Sequence, residues 1–178
     1  MEKDNSSIGK VALKYGAIIA AALMLLSLVA YVSNLSGNRF LGWLENIIII
    51  GGLVWAMMNF RDKHRGGYME FGQGVSLGTL VSLFGGSLTS LYSFIFLKYI
   101  DPSALDGLKD ASMERVMQGG YSDAELEMMD SIFQFVYTPG MMLIGGILGA
   151  ILGGVIISLI LAAIIKKPKS LFEEATQE

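Results

Sequence analysis

Four stretches of this chain are long and apolar enough to cross a bilayer, and that fact constrains its fold more than any other. A spanning helix needs about 20 predominantly apolar residues. Such runs cover residues 15–33 ("YGAIIAAALMLLSLVAYVS"), 40–60 ("FLGWLENIIIIGGLVWAMMNF"), 75–100 and 141–165. Their only charged residues are Glu45 and Lys98, the latter placed where its side chain reaches the interface. The third run is long enough that it must tilt or protrude. Four runs with no polar face leave nothing to meet water, so a soluble helical core is excluded. The sequence predicts an all-α protein: a four-transmembrane-helix bundle over residues 15–165, with an extramembrane helical hairpin between spans 3 and 4. Residues 1–14 and 166–178 lie outside the membrane domain.

Composition narrows the function classes. Only 16% of residues are charged and 53% are hydrophobic, against about a quarter charged in a soluble domain. The net charge of −3 gives no basic face for nucleic acid. Cys 0 and His 1 remove disulfides, thiolate sites, thiol nucleophiles and a histidine-based zinc site. No Ser-His-Asp set or paired intramembrane aspartates occur. The expectation is a protein without enzymatic activity or cofactor, whose surroundings are the lipid bilayer.

Basic residues set the expected threading. Lys3, Lys10 and Lys14 precede the first span, Arg61, Lys63 and Arg65 follow the second, and Lys166, Lys167 and Lys169 follow the fourth. With four spans these nine share one side, leaving Arg39, Lys98, Lys109 and Arg115 at or beyond the other. Both termini are therefore expected in the cytoplasm of a bacterium, with the chain multi-pass in the inner membrane and the first span retained, not cleaved as a signal peptide.

The stretch "FRDKHRGGYMEFGQG" (60–74) then reads as a cytoplasmic turn. Gly66 and Gly67 permit a reversal through positive φ, Tyr68 and Phe71 suit the headgroup layer, and His64 reads as a solvated loop residue. Neither GxxxxGK[ST] nor GxGxxG after a strand is present, so the glycines do not form a phosphate loop.

Small residues mark where helices touch. In "GMMLIGGILGAILGGVIISLI" Gly145, Gly149 and Gly153 form one row at spacing four, and Gly146, Ala150 and Gly154 form a second. Ser82, Gly86 and Ser90 match them on the third span, with Gly85, Thr89 and Ser93 alongside. Such rows let backbones approach closely, either inside the chain or in a homodimer.

Residues 101–138 carry eight acids against two bases, a net charge near −6. Asp101-Pro102 can start a helix, Gly119-Gly120 can end it, and Ser122 with Glu125 makes a capping box for a second. On that second helix Leu126, Met129, Ile132/Phe133 and Val136 form one apolar stripe. The segment is expected to cap the membrane domain, collect cations or bind a partner.

Glu45 is the candidate functional carboxylate. A carboxylate within a span is costly and marks a site by default. It lies about one turn in, beside Trp43 and Asn46, where it either reaches the interface or protonates in a water-lined cavity during solute movement.

The order of basic residues, "GGYMEFGQG", a small-residue span, "YIDPSAL", an acidic segment and "YTPGMM" before a glycine-rich span resembles the bacterial domain of unknown function family 4199. The resemblance runs from about Lys10 to Lys167. It implies a small integral membrane protein, and brings no catalytic residue. Where this chain has Glu70, members of that family often carry Ser or Thr, which with Gln73 would cap the third helix. The functional expectation is a structural, interaction or accessory membrane component with an unknown membrane protein partner. A small proton- or cation-linked transporter using Glu45 is the alternative.

Overall fold

The computed structural model describes residues 8–35 and 38–168; Lys3 and Lys169, used above for threading, lie outside them. The described chain forms six α-helices: α1 (Ile8–Val32), α2 (Arg39–Asn59), α3 (Phe71–Ile95), α4 (Ser103–Met117), α5 (Asp123–Val136) and α6 (Pro139–Ile165). One turn of π-helix extends α2 (Phe60–His64) and another extends α3 (Phe96–Ile100). α1, α2 with its π turn, α3 with its π turn, and α6 are the four helices long and apolar enough to cross a membrane. The fold is all-α, and contacts divide it into two units: residues 1–89 with 149–178, and residues 90–148.

The first unit is a bundle of α1, α2, the first part of α3 and the last part of α6. Its core gathers Val11, Ala12, Tyr15 and Ile19 of α1, Leu53, Ala56, Met57 and Phe60 of α2 and its extension, Met69, Leu77 and Val81 around α3, and Ile165 of α6. α1 begins seven residues before the apolar run, because its first turns are amphipathic. Val11, Ala12, Tyr15, Gly16, Ile19 and Ala20 are buried while Lys10 and Lys14 stay exposed on the other face. Tyr15 meets Trp55 edge to face, ring centroids 5.0 Å apart.

Small residues bring α3 against its neighbours. A β-carbon added at Gly86 would collide with the Ala150 methyl, one at Gly78 with Ser158, one at Gly74 with Ala162, and one at Gly154 with Ser82. Each rung moves four residues forward on α3 and four back on α6, so the helices run antiparallel in a single register. In the second unit Gly146 faces Ser90 at the next step of that spacing. On another side of α3, a β-carbon at Gly16 would lie 2.9 Å from the Gly85 nitrogen and the Val81 carbonyl oxygen. α1 therefore crosses α3 backbone to backbone.

This corrects one expectation for packing inside the chain. The row Gly146, Ala150, Gly154 faces α3, whereas added β-carbons at Gly145, Gly149 and Gly153 would meet nothing within 4 Å. Adjacent positions on a helix point about 100° apart, so one helix can occupy only one of two neighbouring rows. The outer row lies beside Ile144, Leu148, Leu152 and Ile156, all exposed and suited to lipid.

The second unit holds the hairpin. Asp101 caps α4, its Oδ1 accepting from the Ala104 N–H (3.2 Å) and the Ser103 hydroxyl (2.6 Å). Gly120, at φ +74°, turns the chain out of that helix. α4 and α5 are joined by a Lys109–Asp130 ion pair (3.1 Å) and a hydrogen bond between the Ser112 and Tyr137 hydroxyls (2.5 Å).

The seam makes a clean stability test. Gly86→Ala should destabilise the protein by about 1–3 kcal/mol through overpacking, despite alanine's better helix propensity. Gly149→Ala should leave stability unchanged or raise it by up to about 1 kcal/mol. Equilibrium unfolding in detergent reads both.

Candidate functional site

Three groups of candidate residues can be built from the chain upward: the basic turn, the acidic hairpin and the surroundings of Glu45.

At the basic turn, Gly66 and Gly67 take φ +63° and +92°, the reversal expected of them. Arg61 donates from Nε to Asp62 (2.7 Å) and from a terminal nitrogen to the Ile165 carbonyl (3.2 Å). It thereby satisfies one of the carbonyls that the end of α6 leaves free. Met69 and Lys167 exchange a pair of backbone hydrogen bonds of 2.9 Å each, fastening the turn to the chain after α6. Lys63 and Arg65 are exposed, and Arg65 stands 5.3 Å from the Phe60 ring centroid. His64 differs from the expectation of a solvated residue: it is half-buried, its ring 6.2 Å from that of Phe60. His64 closes the π turn that extends α2, an element that helical spacing in the sequence does not reveal. Ahead of α3, the Gln73 side chain accepts from the Glu70 N–H at 3.2 Å, so half of a capping box forms with Glu in the first position. The turn is thus a structural clamp of Arg61, the glycines and the Met69–Lys167 pair.

In the hairpin, Glu125 Oε2 accepts from the Ser122 N–H (2.9 Å) and hydroxyl (2.7 Å). These bonds, the backbone one first, hold its carboxyl below the usual range. The expected single apolar stripe of α5 is in fact two faces. Leu126, Met129, Phe133 and Tyr137 are half-buried, whereas Met128, Ile132, Phe135 and Val136 are exposed. Ile132 and Val136 therefore belong to an outer face at spacing i, i+4, i+7, i+8, and the sequence reading missed Met128 and Phe135. Their positions in the period were the available signal.

Glu45 stands in a cleft of about 790 Å³ between the end of α1 and the start of α2. The lining includes Ser27, Ala30, Asn38, Arg39, Trp43 and Asn46. Glu45 and Arg39 are both exposed, and neither makes an ion pair with a described residue. Asn38 uses its Oδ1 to accept the Phe40 N–H (2.9 Å), and Asn46 uses its Nδ2 to donate to the Gly42 carbonyl (2.7 Å). Among the described residues no cluster of three or more His, Cys, Asp or Glu could hold a metal ion.

A four-span all-α membrane protein with an acidic helical hairpin inserted before its last span is the class these features define. The family model described as "Protein of unknown function (DUF4199)" matches residues 14–167, and the chain belongs to that family. No curated protein and no solved structure matches it.

The Glu125 cap generates a pH prediction. Its carboxyl is depressed when folded, so the stabilisation is complete above the ordinary glutamate value, about 4.3. It is lost as pH falls through the lower folded value. Hydrogen exchange in the first turn of α5 should stay protected down through the ordinary glutamate value and lose that protection only at lower pH. Glu125→Gln should show no such step, and a step centred at or above the ordinary value would contradict the assignment.

Proposed function

We propose that this chain is a non-enzymatic accessory or scaffolding component of a bacterial inner membrane, and that its hairpin engages another membrane protein. The observation that carries this reading is the outer face of α5. Met128, Ile132, Phe135 and Val136 remain exposed after the other face has packed. Two residues, Asp101-Pro102, join α3's extension to α4, and two more, Tyr137-Thr138, join α5 to α6. An apolar stripe of this kind is an anchoring pattern for a partner groove.

The flanking charges support a protein partner over the lipid surface. Helices that lie on membranes carry Lys and Arg on their polar face. α5 instead carries Asp123, Glu125, Glu127 and Asp130, which anionic headgroups repel. The complementary partner is an apolar surface rimmed by Lys and Arg. Lys10 and Lys14 at the start of α1, Arg61, Lys63 and Arg65 after α2, and Lys166 and Lys167 after α6 support placing those helix ends in the cytoplasm and the hairpin outside.

A second reading, proton- or cation-linked transport through Glu45, is favoured by one observation: Glu45 lines an open cleft. The close seam of α3 on α6 favours the interaction reading, since such contacts leave no room for a water path along that interface.

The two readings separate in one preparation. Ile132→Glu with Phe135→Glu should release a stoichiometric cross-linked partner while leaving the thermal midpoint of the membrane domain in place. Retention of that partner would contradict the interaction reading. In vesicles containing the purified chain, solute-driven proton entry abolished by Glu45→Gln and unaffected by the hairpin pair would favour transport instead.

A further inference from the structure

The cleft at the α1–α2 end has an ordered polarity that neither reading above uses. At its α2 start sits Arg39, and beside it Asn38, whose Oδ1 is committed to the Phe40 N–H (2.9 Å). Its amide nitrogen therefore remains as a donor. The positive end of the α2 dipole adds to the same place. Six residues further along sits Glu45, and beside it Asn46, whose Nδ2 is committed to the Gly42 carbonyl (2.7 Å). Its amide oxygen therefore remains as an acceptor. Trp43, 68% exposed, lies between the two in the chain and lines the same cleft, where an indole can attract a bound cation.

One end of the cleft thus presents a cation, an amide donor and a helix start. The other presents a carboxylate and an amide acceptor, and Trp43 lines the cleft with both. Both charges lack an intrachain partner among the described residues. A charge inside a span, as Glu45 is, calls for a partner, and Arg39 at the start of α2 brings the opposite sign to the same cleft. The volume, about 790 Å³, is within the range of small-molecule sites, roughly 300–1,000 Å³. We infer that this cleft binds a small zwitterion, an amine joined by a short chain to a phosphate or carboxylate, with the anion on Arg39 and the ammonium on Glu45.

The order of the two ends bears on the source. Glu45 lies about 9 Å further along the span than Arg39, at 1.5 Å per residue. The ammonium site is therefore the deeper one. A phospholipid anchored in the same leaflet places its phosphate deeper than its ammonium, so the cleft is matched to a free zwitterion entering amine first. Occupancy of the cleft is independent of whether Glu45 also moves protons and of what α5 binds.

The test uses the full chain in nanodiscs of phosphatidylcholine and phosphatidylglycerol, with Trp55→Phe leaving Trp43 as the fluorescent reporter. The probe is 2-aminoethyl phosphate. Saturable change in Trp43 emission is expected, weakened about tenfold or more by Arg39→Gln and by Glu45→Gln separately. Inorganic phosphate and ethylamine should each bind at least about tenfold more weakly than the probe. Unchanged thermal midpoints will show that both variants fold. Absence of a saturable change at millimolar probe, or equal affinity in either variant, would overturn the zwitterion site. If nanodiscs containing phosphatidylethanolamine block the probe, and Glu45→Gln relieves the block, the site takes a lipid headgroup and the amine-first order is overturned.

Discussion

Helices inside a bilayer cannot be held together by expelling apolar surface from water, because lipid is as apolar as leucine. Close approach, which multiplies dispersion and weak Cα–H···O contacts, has to serve instead. In this protein the α3–α6 seam supplies it. Glycine, alanine and serine face one another from Gly74 opposite Ala162 to Gly86 opposite Ala150, so two backbones approach with almost no side chain between them. A second close crossing, Gly16 on Gly85, ties α1 to the same helix. With glycine or serine on two of its faces, α3 is the element against which the first unit is assembled.

That arrangement leaves the first unit unequal at its two ends. Around the Arg61 turn, the buried core of Val11, Tyr15, Met57, Phe60, Met69 and Ile165 is closed over, and hydrogen bonds from Arg61 and Met69 lock the end of α6. Beyond Ala20 on α1 and before Leu53 on α2, no residue of either helix is fully buried. The two helices reach their connection around an open cleft lined by Ser27, Asn38, Arg39, Glu45 and Asn46. A packed end and an open, charged end are therefore consequences of where bulky apolar side chains fall along α1 and α2.

Much of this was legible in the residues and some was not. The four spans followed from length and hydropathy alone, and the Asp101, Ser122–Glu125 and Gly66-Gly67 signals placed the helix ends because each acts through neighbouring atoms. The small-residue rows of α6 were equally visible, yet which row α3 occupies depends on how α6 is rotated, a tertiary property absent from a one-helix pattern. The lower rungs at Gly74, Gly78, Ser158 and Ala162 went unread because the partner register was unknown. Ile132 and Val136 were assigned to the wrong face of α5 since both of its faces are apolar. Glu45 was conspicuous by itself, but its surroundings depend on a half-packed helix pair.

The register of the seam is most directly tested by a double-mutant cycle at one rung. Ala150→Gly removes the methyl that an alanine at position 86 would strike. Combined with Gly86→Ala, it moves the rung's single methyl from α6 to α3. The account predicts a favourable coupling of about 1 kcal/mol or more between the two substitutions, with no such rescue from Ala163→Gly on the exposed side of α6. Coupling near zero, or equal rescue from position 163, would contradict the register and the seam on which the rest of the structure depends.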